Sequence, residues 1–503
     1  ADGIMLSAAL SAALSATGVT YSTPRPDMLY TSSRPLSPAP LPEFRRADAD
    51  LFEGVHSEAS QPLTQRVLER VPELARREAW YAHPPLVTNG HVHTILAAKL
   101  RTTRAVRYHR QLLPTPDGGT IALDLLAGVR RVAQSDTSLS RRTVPSSVLT
   151  GGALPGAAEE AGFTAFVPTP PPLEPARPML LLASGLGGGS QDTYVRSLAA
   201  TAAERGWQVA VVNMRGCGGS PVTSPRLFSA YRGANDDMRT AVKHLRATRL
   251  GGGGTLAAVG WSNSGTILNN VLAEQATTHT DDPLCFIDAG VACATPLNMP
   301  ANSANLQRPF HKAVYDVNLG KSLQRLWAAA RPQFVDEATG KMKPVPYWDG
   351  LARSDQLDTT AVGRHQERFE ADDELALTAL SIREIDEALT RRQYGYASVD
   401  EYYAAASSDQ RLPLINIPLL LLNAYDDPIV PGASLVGALA HARVNEHIVM
   451  ALTSHGGHLG WCERADPWAG PSWTERVACG FLEAALDIAP TEGCEQLGCE
   501  IFD

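Results

Sequence analysis

No run of about 18 apolar residues occurs in the 503-residue chain, so no membrane-crossing helix is expected. There is no dense Lys/Arg run either, and 53 acidic against 44 basic side chains leave a formal net charge of −9. That balance argues against a nucleic-acid partner, because phosphate binding needs a basic face. Cysteine is sparse: seven residues, Cys217, Cys285, Cys293, Cys462, Cys479, Cys494 and Cys499, odd in number and dispersed. Such a set is not the disulfide framework of a secreted domain, and an intracellular, reducing compartment is expected. Cys494 and Cys499 lie near enough in sequence to pair, although two free thiols on a tail is the plainer reading. The short apolar stretch from Ile4 to Leu14 lacks the basic start of a secretory signal. The chain opens on Ala1 rather than Met, which leaves a removed mitochondrial or plastid presequence as an open expectation.

What is present is an ordinary globular balance, 44% hydrophobic and 19% charged, in a chain long enough for several domains or one large domain with a cap. Tyr21 to Pro42 is rich in Pro, Ser and Thr without apolar periodicity and reads as irregular. Gln61 to Trp80 carries Val67, Leu68, Val71, Leu74 and Ala75 at near-helical spacing. Val106 to Leu126 reads as a hairpin about the turn Pro116-Asp117-Gly118-Gly119. Gly128 to Pro178 is a Gly/Ser/Pro-rich insertion, expected as a surface excursion.

Beyond it, short apolar runs alternate with helical patterns: strands at Met179–Ala183, Gln208–Val212, Leu256–Val259 and Phe286–Ala292, with helices between them. This alternation predicts an α/β fold with a mostly parallel central sheet flanked by helices. From Pro296 to about Leu412 the alternation stops, and helices are expected at Ser322–Ala330, Glu374–Arg391 and Val399–Ala406. Strands return at Pro418–Asn423 and His447–Leu452. The division is therefore an N-terminal extension (1–75), a first core part (76–296, interrupted at 128–178), an inserted helical cap (297–412), a second core part (413–490) and a tail (491–503).

The central chemical signal is Gly260-Trp261-Ser262-Asn263-Ser264-Gly265 between an apolar strand and a helix. A strand-to-helix elbow of this kind exposes a serine Oγ on a strained turn. A serine hydroxyl needs a base, and in this arrangement the acid and the base follow in chain order. Leu419–Leu422 leads into Asp426-Asp427-Pro428, where Asp427 is favoured as the acid and Asp426 stays open. Val449–Thr453 leads into His455-Gly456-Gly457-His458, where His458 is the favoured base and His455 the runner-up. A metal site built on the two histidines finds no third ligand at convincing spacing. The oxyanion that acyl transfer develops needs backbone donors. Those expected are the amides of Asn263, just after the serine, and Leu186, in the turn Ser184-Gly-Leu-Gly-Gly-Gly189. A phosphate loop at that turn lacks the required Lys-Ser/Thr ending.

With these pieces in place, the chain resembles the α/β-hydrolase-domain esterases and lipases, a family that includes fungal medium-chain fatty-acid ethyl ester synthase/esterases, animal membrane-associated lipid hydrolases and bacterial relatives. The resemblance runs from about His83 to Glu463. It rests on Pro84-Pro85 with Asn89-Gly-His-Val-His-Thr-Ile95, on Ser184–Gly189, and on Asn213-Met-Arg-Gly-Cys-Gly-Gly-Ser220 with Pro225-Arg-Leu227. Ser381-Ile-Arg-Glu-Ile-Asp386, Gly395-Tyr-Ala-Ser398 and Glu401-Tyr-Tyr403 are similar to the family's cap signature. The resemblance implies acyl-ester hydrolysis or acyl transfer without metal or organic cofactor, with the acyl chain between cap and sheet and Asp427 and His458 as triad acid and base. The chain departs from the family at Ser184, usually His, at Ser264, usually Gly, and at Asn263, usually Leu or Met.

Two functions follow as expectations. One is a serine hydrolase acting on medium- or long-chain acyl esters or glycerolipids, with peripheral membrane association left open. The other is a weak or inactive hydrolase-fold subunit with a docking role in a larger assembly, meeting protein partners through its N-terminal extension.

Overall fold

The computed structural model describes residues 28–31, 62–74, 83–84, 87, 89–101, 103–130, 164–277, 285–341, 371–463, 472–489 and 500–502. Most of the N-terminal extension, the middle of the insertion at 128–178, residues 342–370 of the cap, and Cys494 and Cys499 lie outside these residues.

The strands are β1 (Met28–Thr31), β2 (Val106–Pro114), β3 (Thr120–Arg130), β4 (Thr164–Phe166), β5 (Met179–Ala183), β6 (Gln208–Asn213), β7 (Leu256–Trp261), β8 (Ala289–Cys293), β9 (Leu419–Ala424), β10 (Ile448–Thr453) and β11 (Glu500–Phe502). They form one sheet in the order β1-β10-β9-β8-β7-β5-β6-β3-β2-β4, with β11 also pairing β3. From β10 to β6 every neighbouring pair is parallel. The β2–β3 hairpin joins β6 antiparallel.

The central strands are apolar along almost all of their length because both faces are covered. Leu180, Leu182, Val259, Val291, Leu420 and Leu422 face one side, with Leu198 and Ala202 of α3 (Thr193–Glu204), which follows α1 (Pro62–Arg70) and α2 (Gly90–Leu100) in the chain. Leu181, Val212, Ala258, Ala292 and Leu421 face the other. There they meet Met238 and Leu245 of α4 (Gly233–Thr248) and Ile267 and Val271 of α5 (Asn263–Thr277). The cap contributes α6 (Met299–Leu306), α7 (Val317–Phe334) and α8 (Val399–Ala406), and the core closes with α9 (Val436–Ala442) and α10 (Trp473–Ala485).

The expected α/β-hydrolase fold, a mostly parallel sheet between helices with helices inserted before β9, is what the chain forms. Three local expectations need correction. The helix expected from Gln61 to Trp80 covers Pro62–Arg70 and gives way to a 3-10 turn at Pro72–Leu74, because a residue before proline avoids the helical region; residues 75–80 lie outside the described residues. The single helix expected over Glu374–Arg391 is broken into Asp373–Thr378, Ile382–Ile385, a π turn at Asp386–Thr390 and Arg391–Gln393. Ser381 causes the break: its hydroxyl caps a new helix by accepting the Glu384 N–H at 3.1 Å. The Pro-rich stretch read as irregular contains β1, which pairs antiparallel with β10 and covers what would otherwise be a sheet edge.

Candidate active site

Ser262 is the single residue between the end of β7 and the start of α5. Its backbone φ is +52°, a left-handed value that costs a side-chain-bearing residue about 1–3 kcal/mol. Neighbouring contacts hold it there. The Ser262 N–H donates to Cys293 O at 2.8 Å, across to the end of β8, and Ser262 O accepts from Gly265 N at 2.9 Å. Gly260 and Gly265 make the turn sterically feasible: a Cβ on the first would collide with the Ser264 backbone, and one on the second with the Thr295 side chain.

The residues expected as acid and base come from the ends of β9 and β10. Asp427 follows β9, fully buried, and its Oδ1 accepts the N–H groups of Ile429 at 2.8 Å and Val430 at 2.9 Å. Its Oδ2 lies 2.8 Å from Nδ1 of His458, which follows β10. The other ring nitrogen, Nε2, lies 2.9 Å from Ser262 Oγ. A carboxylate oxygen can only accept, so Nδ1 donates to Asp427 and Nε2 is left to accept the serine proton. The backbone of His458 is fixed by α2: its N–H donates to Thr94 Oγ1 at 2.8 Å, and that hydroxyl donates to Gly90 O at 2.6 Å.

The two alternative residues do not compete for these places. Asp426 and His455 face each other at 3.1 Å, and Asp426 Oδ1 also accepts the Gly457 N–H at 2.9 Å. Burial pushes the Asp426 carboxyl up from the usual carboxylate range. Another histidine, His91, stands close enough to Asp427 to feel its charge, and its Nδ1 bonds Tyr315 OH at 2.7 Å. Burial, with help from His311, lowers its pKa to about 4, so it is neutral at neutral pH.

The loop after β5 supplies the other side of the site. Gly185 packs against Ser262, since a Cβ there would sit 3.4 Å from the serine Cβ. Leu186, the next residue, is half-buried against the apolar cluster of the cap. Asn263 opens α5, so its N–H is among the first-turn amides that a helix leaves without an intrahelical acceptor. The expected oxyanion donors are thus the amide of the residue after Ser262 and that of the residue after Gly185, which packs against Ser262.

The three departures from the family pattern turn out to be integrated. Ser184 Oγ donates to Asp192 Oδ2 and lies 2.7 Å from Tyr194 OH. Asp192 also accepts the Gly189 N–H at 3.0 Å, and Tyr194 OH accepts the Gly185 N–H at 3.1 Å. Ser264 Oγ donates to the Ser184 carbonyl, joining the elbow to the glycine loop. Asn263 Nδ2 reaches Ser229 O at 3.0 Å. Sequence reading missed Asp192, Tyr194 and Thr94. Asp192 precedes α3 and looks like a helix cap, yet makes no side-chain cap bond because its carboxylate turns back to Ser184 and Gly189.

The cap lies over this loop. Gly187, with φ at +76°, faces Ser322 of α7, and Leu186, Met214 and Val222 pack with Leu326 and Trp327 of the same helix. The arrangement brings together a serine hydroxyl, a buried histidine and a buried carboxylate at the C-terminal ends of parallel strands, a geometry in which the hydroxyl can pass its proton to the imidazole.

Comparison with known proteins agrees with this architecture. The chain is 29% identical over 409 residues to the embryogenesis-associated protein EMB8 of Picea glauca, covering 80% of this chain and 72% of that one. It is 26% identical over 435 residues to a monoacylglycerol lipase of Saccharomyces cerevisiae, covering 84% of each. It is 25% identical over 394 residues to the phospholipase ABHD3 of Bos taurus, covering 78% of this chain and 76% of that one. The alpha/beta hydrolase family pattern matches residues 180–470, more than half of the chain and a span that holds the glycine loop, Ser262, Asp427 and His458. The chain belongs to the alpha/beta hydrolase family.

Proposed function

We propose that this protein is a serine hydrolase acting on acyl esters of lipids, with Ser262, His458 and Asp427 as its triad. The observation that carries the reading is the unbroken chain Ser262 Oγ to His458 Nε2 at 2.9 Å and His458 Nδ1 to Asp427 at 2.8 Å. In the first half-reaction Ser262 Oγ bonds to the ester carbonyl carbon as its proton passes to His458 Nε2. The carbonyl oxygen becomes an oxyanion held by the Leu186 and Asn263 amides. When the tetrahedral species collapses, the C–O bond to the alcohol breaks, and His458 returns the proton to the leaving alcohol. Water then repeats the sequence on the acyl-enzyme and releases the acid; an alcohol in its place gives acyl transfer. Asp427 keeps His458 in the required tautomer throughout.

The substrate class rests on the relatives named as monoacylglycerol lipase and phospholipase, and on the apolar underside of the cap beside the elbow. In this reading a medium or long acyl chain lies between cap and sheet, on the side where Leu186, Met214 and Val222 pack with the cap. A reducing compartment suits the buried thiols of Cys217, Cys293, Cys462 and Cys479. The test is turnover of monoacylglycerol, phospholipid and simple acyl esters of graded chain length. Activity is expected to rise from short to medium or long chains and to fall by about 10⁴-fold or more in Ser262→Ala. Turnover that survives Ser262→Ala overturns the reading, and folded protein inert on every ester supports the scaffold role instead.

A further inference from the structure

The loops that carry the acid and the base are joined twice, since Asp427 meets His458 and the preceding Asp426 meets His455. We infer that Asp426 and His455 are a second Asp–His pair that positions the triad base and takes no part in proton transfer. The inference rests on the triad reading above.

The turn before His458 has little to hold it by side chains. Gly456 and Gly457 adopt φ of +157° and +59°, and a Cβ on Gly457 would collide with Gly90 O. The turn is therefore all backbone, and its orientation depends on what its N–H groups find. Gly457 N–H donates to Asp426 Oδ1 at 2.9 Å, and His458 N–H donates to Thr94 Oγ1 at 2.8 Å. Asp426 thus grips the residue immediately before the base. Its own place is set by α2, because a Cβ on Gly90 would collide with the Asp426 carbonyl.

His455 completes the device. Its Nδ1 lies 3.1 Å from Asp426 Oδ2, and its carbonyl accepts the Thr453 hydroxyl at 2.6 Å, so its backbone is tied to the end of β10 and its ring to Asp426. Trp461 closes the loop from the other side, donating through N to Gly456 O and through Nε1 to Thr453 Oγ1, both at 2.9 Å. Two carboxyl groups adjacent in sequence compete for one imidazole unless one of them is engaged elsewhere. His455 and the Gly457 amide occupy both oxygens of Asp426, which leaves Asp427 alone to orient His458.

A shift of the base by about 1 Å is enough to cost on the order of 10²-fold in rate without touching substrate affinity. Asp426→Ala and His455→Ala are therefore expected to lower kcat, and the rate at which a fluorophosphonate labels Ser262, by about 10- to 100-fold, with KM within about twofold of wild type. Conservative variants should recover most of the loss. His455→Asn places an amide N–H where Nδ1–H stands, and Asp426→Asn keeps an oxygen for Gly457 N–H while its NH₂ meets the other His455 tautomer. The double alanine variant should be no worse than Asp426→Ala alone. If Asp426→Ala does not fold, the His455 pair of variants makes the same comparison at a half-buried position. Wild type that labels at Ser262 while both alanine variants keep wild-type kcat and labelling rate overturns this inference alone. Wild type that does not label at Ser262 overturns the triad reading and this inference with it.

Discussion

Ser184 and Ser264, two of the three residues that depart from the pattern the sequence resembles, share a role in the structure. Ser264 Oγ donates to the Ser184 carbonyl, while Ser184 Oγ serves the half-buried Asp192 beside Tyr194. Removing a donor from a carboxylate costs more than removing one from a neutral carbonyl. Ser184→Ala is thus expected to lower unfolding free energy by about 1–3 kcal/mol and Ser264→Ala by about 1 kcal/mol. Because both act on one loop, the double variant should lose less than the sum. Urea unfolding of the four proteins measures this; unshifted midpoints would contradict it. The candidate triad was readable in sequence because Ser262, Asp427 and His458 each follow an apolar run of strand length. Sequence favoured Asp427 over Asp426 and His458 over His455 while keeping both alternatives, since neighbours in sequence differ only in which way the loop turns them. The Ser184–Asp192–Tyr194 network was not legible, because it depends on a carboxylate folding back across a glycine turn.

At the scale of elements, the cap shows how a buried group shapes a helix. The π turn Asp386–Thr390 interrupts what periodicity reads as one helix, and Asp386 is buried inside it. Its oxygens accept Thr390 Oγ1 at 2.6 Å and Tyr403 OH at 2.8 Å, linking the turn to α8. Burial outweighs these bonds and raises the Asp386 pKa to about 6. An unfolded aspartate titrates near about 4, so between about pH 4 and 6 the native state holds more protons. The contribution of Asp386 to stability is therefore fully present below about pH 4, is lost as pH rises through 6, and is flat above it. Asp386→Asn removes this dependence, and the buried Asp237, also raised to about 6, cancels between the two proteins. The stability difference between wild type and Asp386→Asn should change by up to about 3 kcal/mol across that window. Parallel stability curves from pH 4 to 7 would contradict it.

For the whole molecule, the parallel centre of the sheet was legible because strands covered on both faces are continuously apolar, as β5, β7 and β9 are. The edges were not. β1, β4 and β11 are three or four residues long and pair with strands far away in sequence, so no local pattern marks them. The same long-range closure builds the site: a helix near residue 90, a loop near 185, an elbow at 262 and two late strand ends meet at one end of the sheet. The account stands on Ser262 being the nucleophile at that meeting point. The direct measurement is fluorophosphonate labelling of the full chain, with the adduct located by peptide mass spectrometry. One stoichiometric adduct on Ser262 is expected, strongly slowed in His458→Ala and absent in Ser262→Ala. Folded protein that takes no adduct, or takes it at another residue while Ser262→Ala labels equally well, would contradict the account.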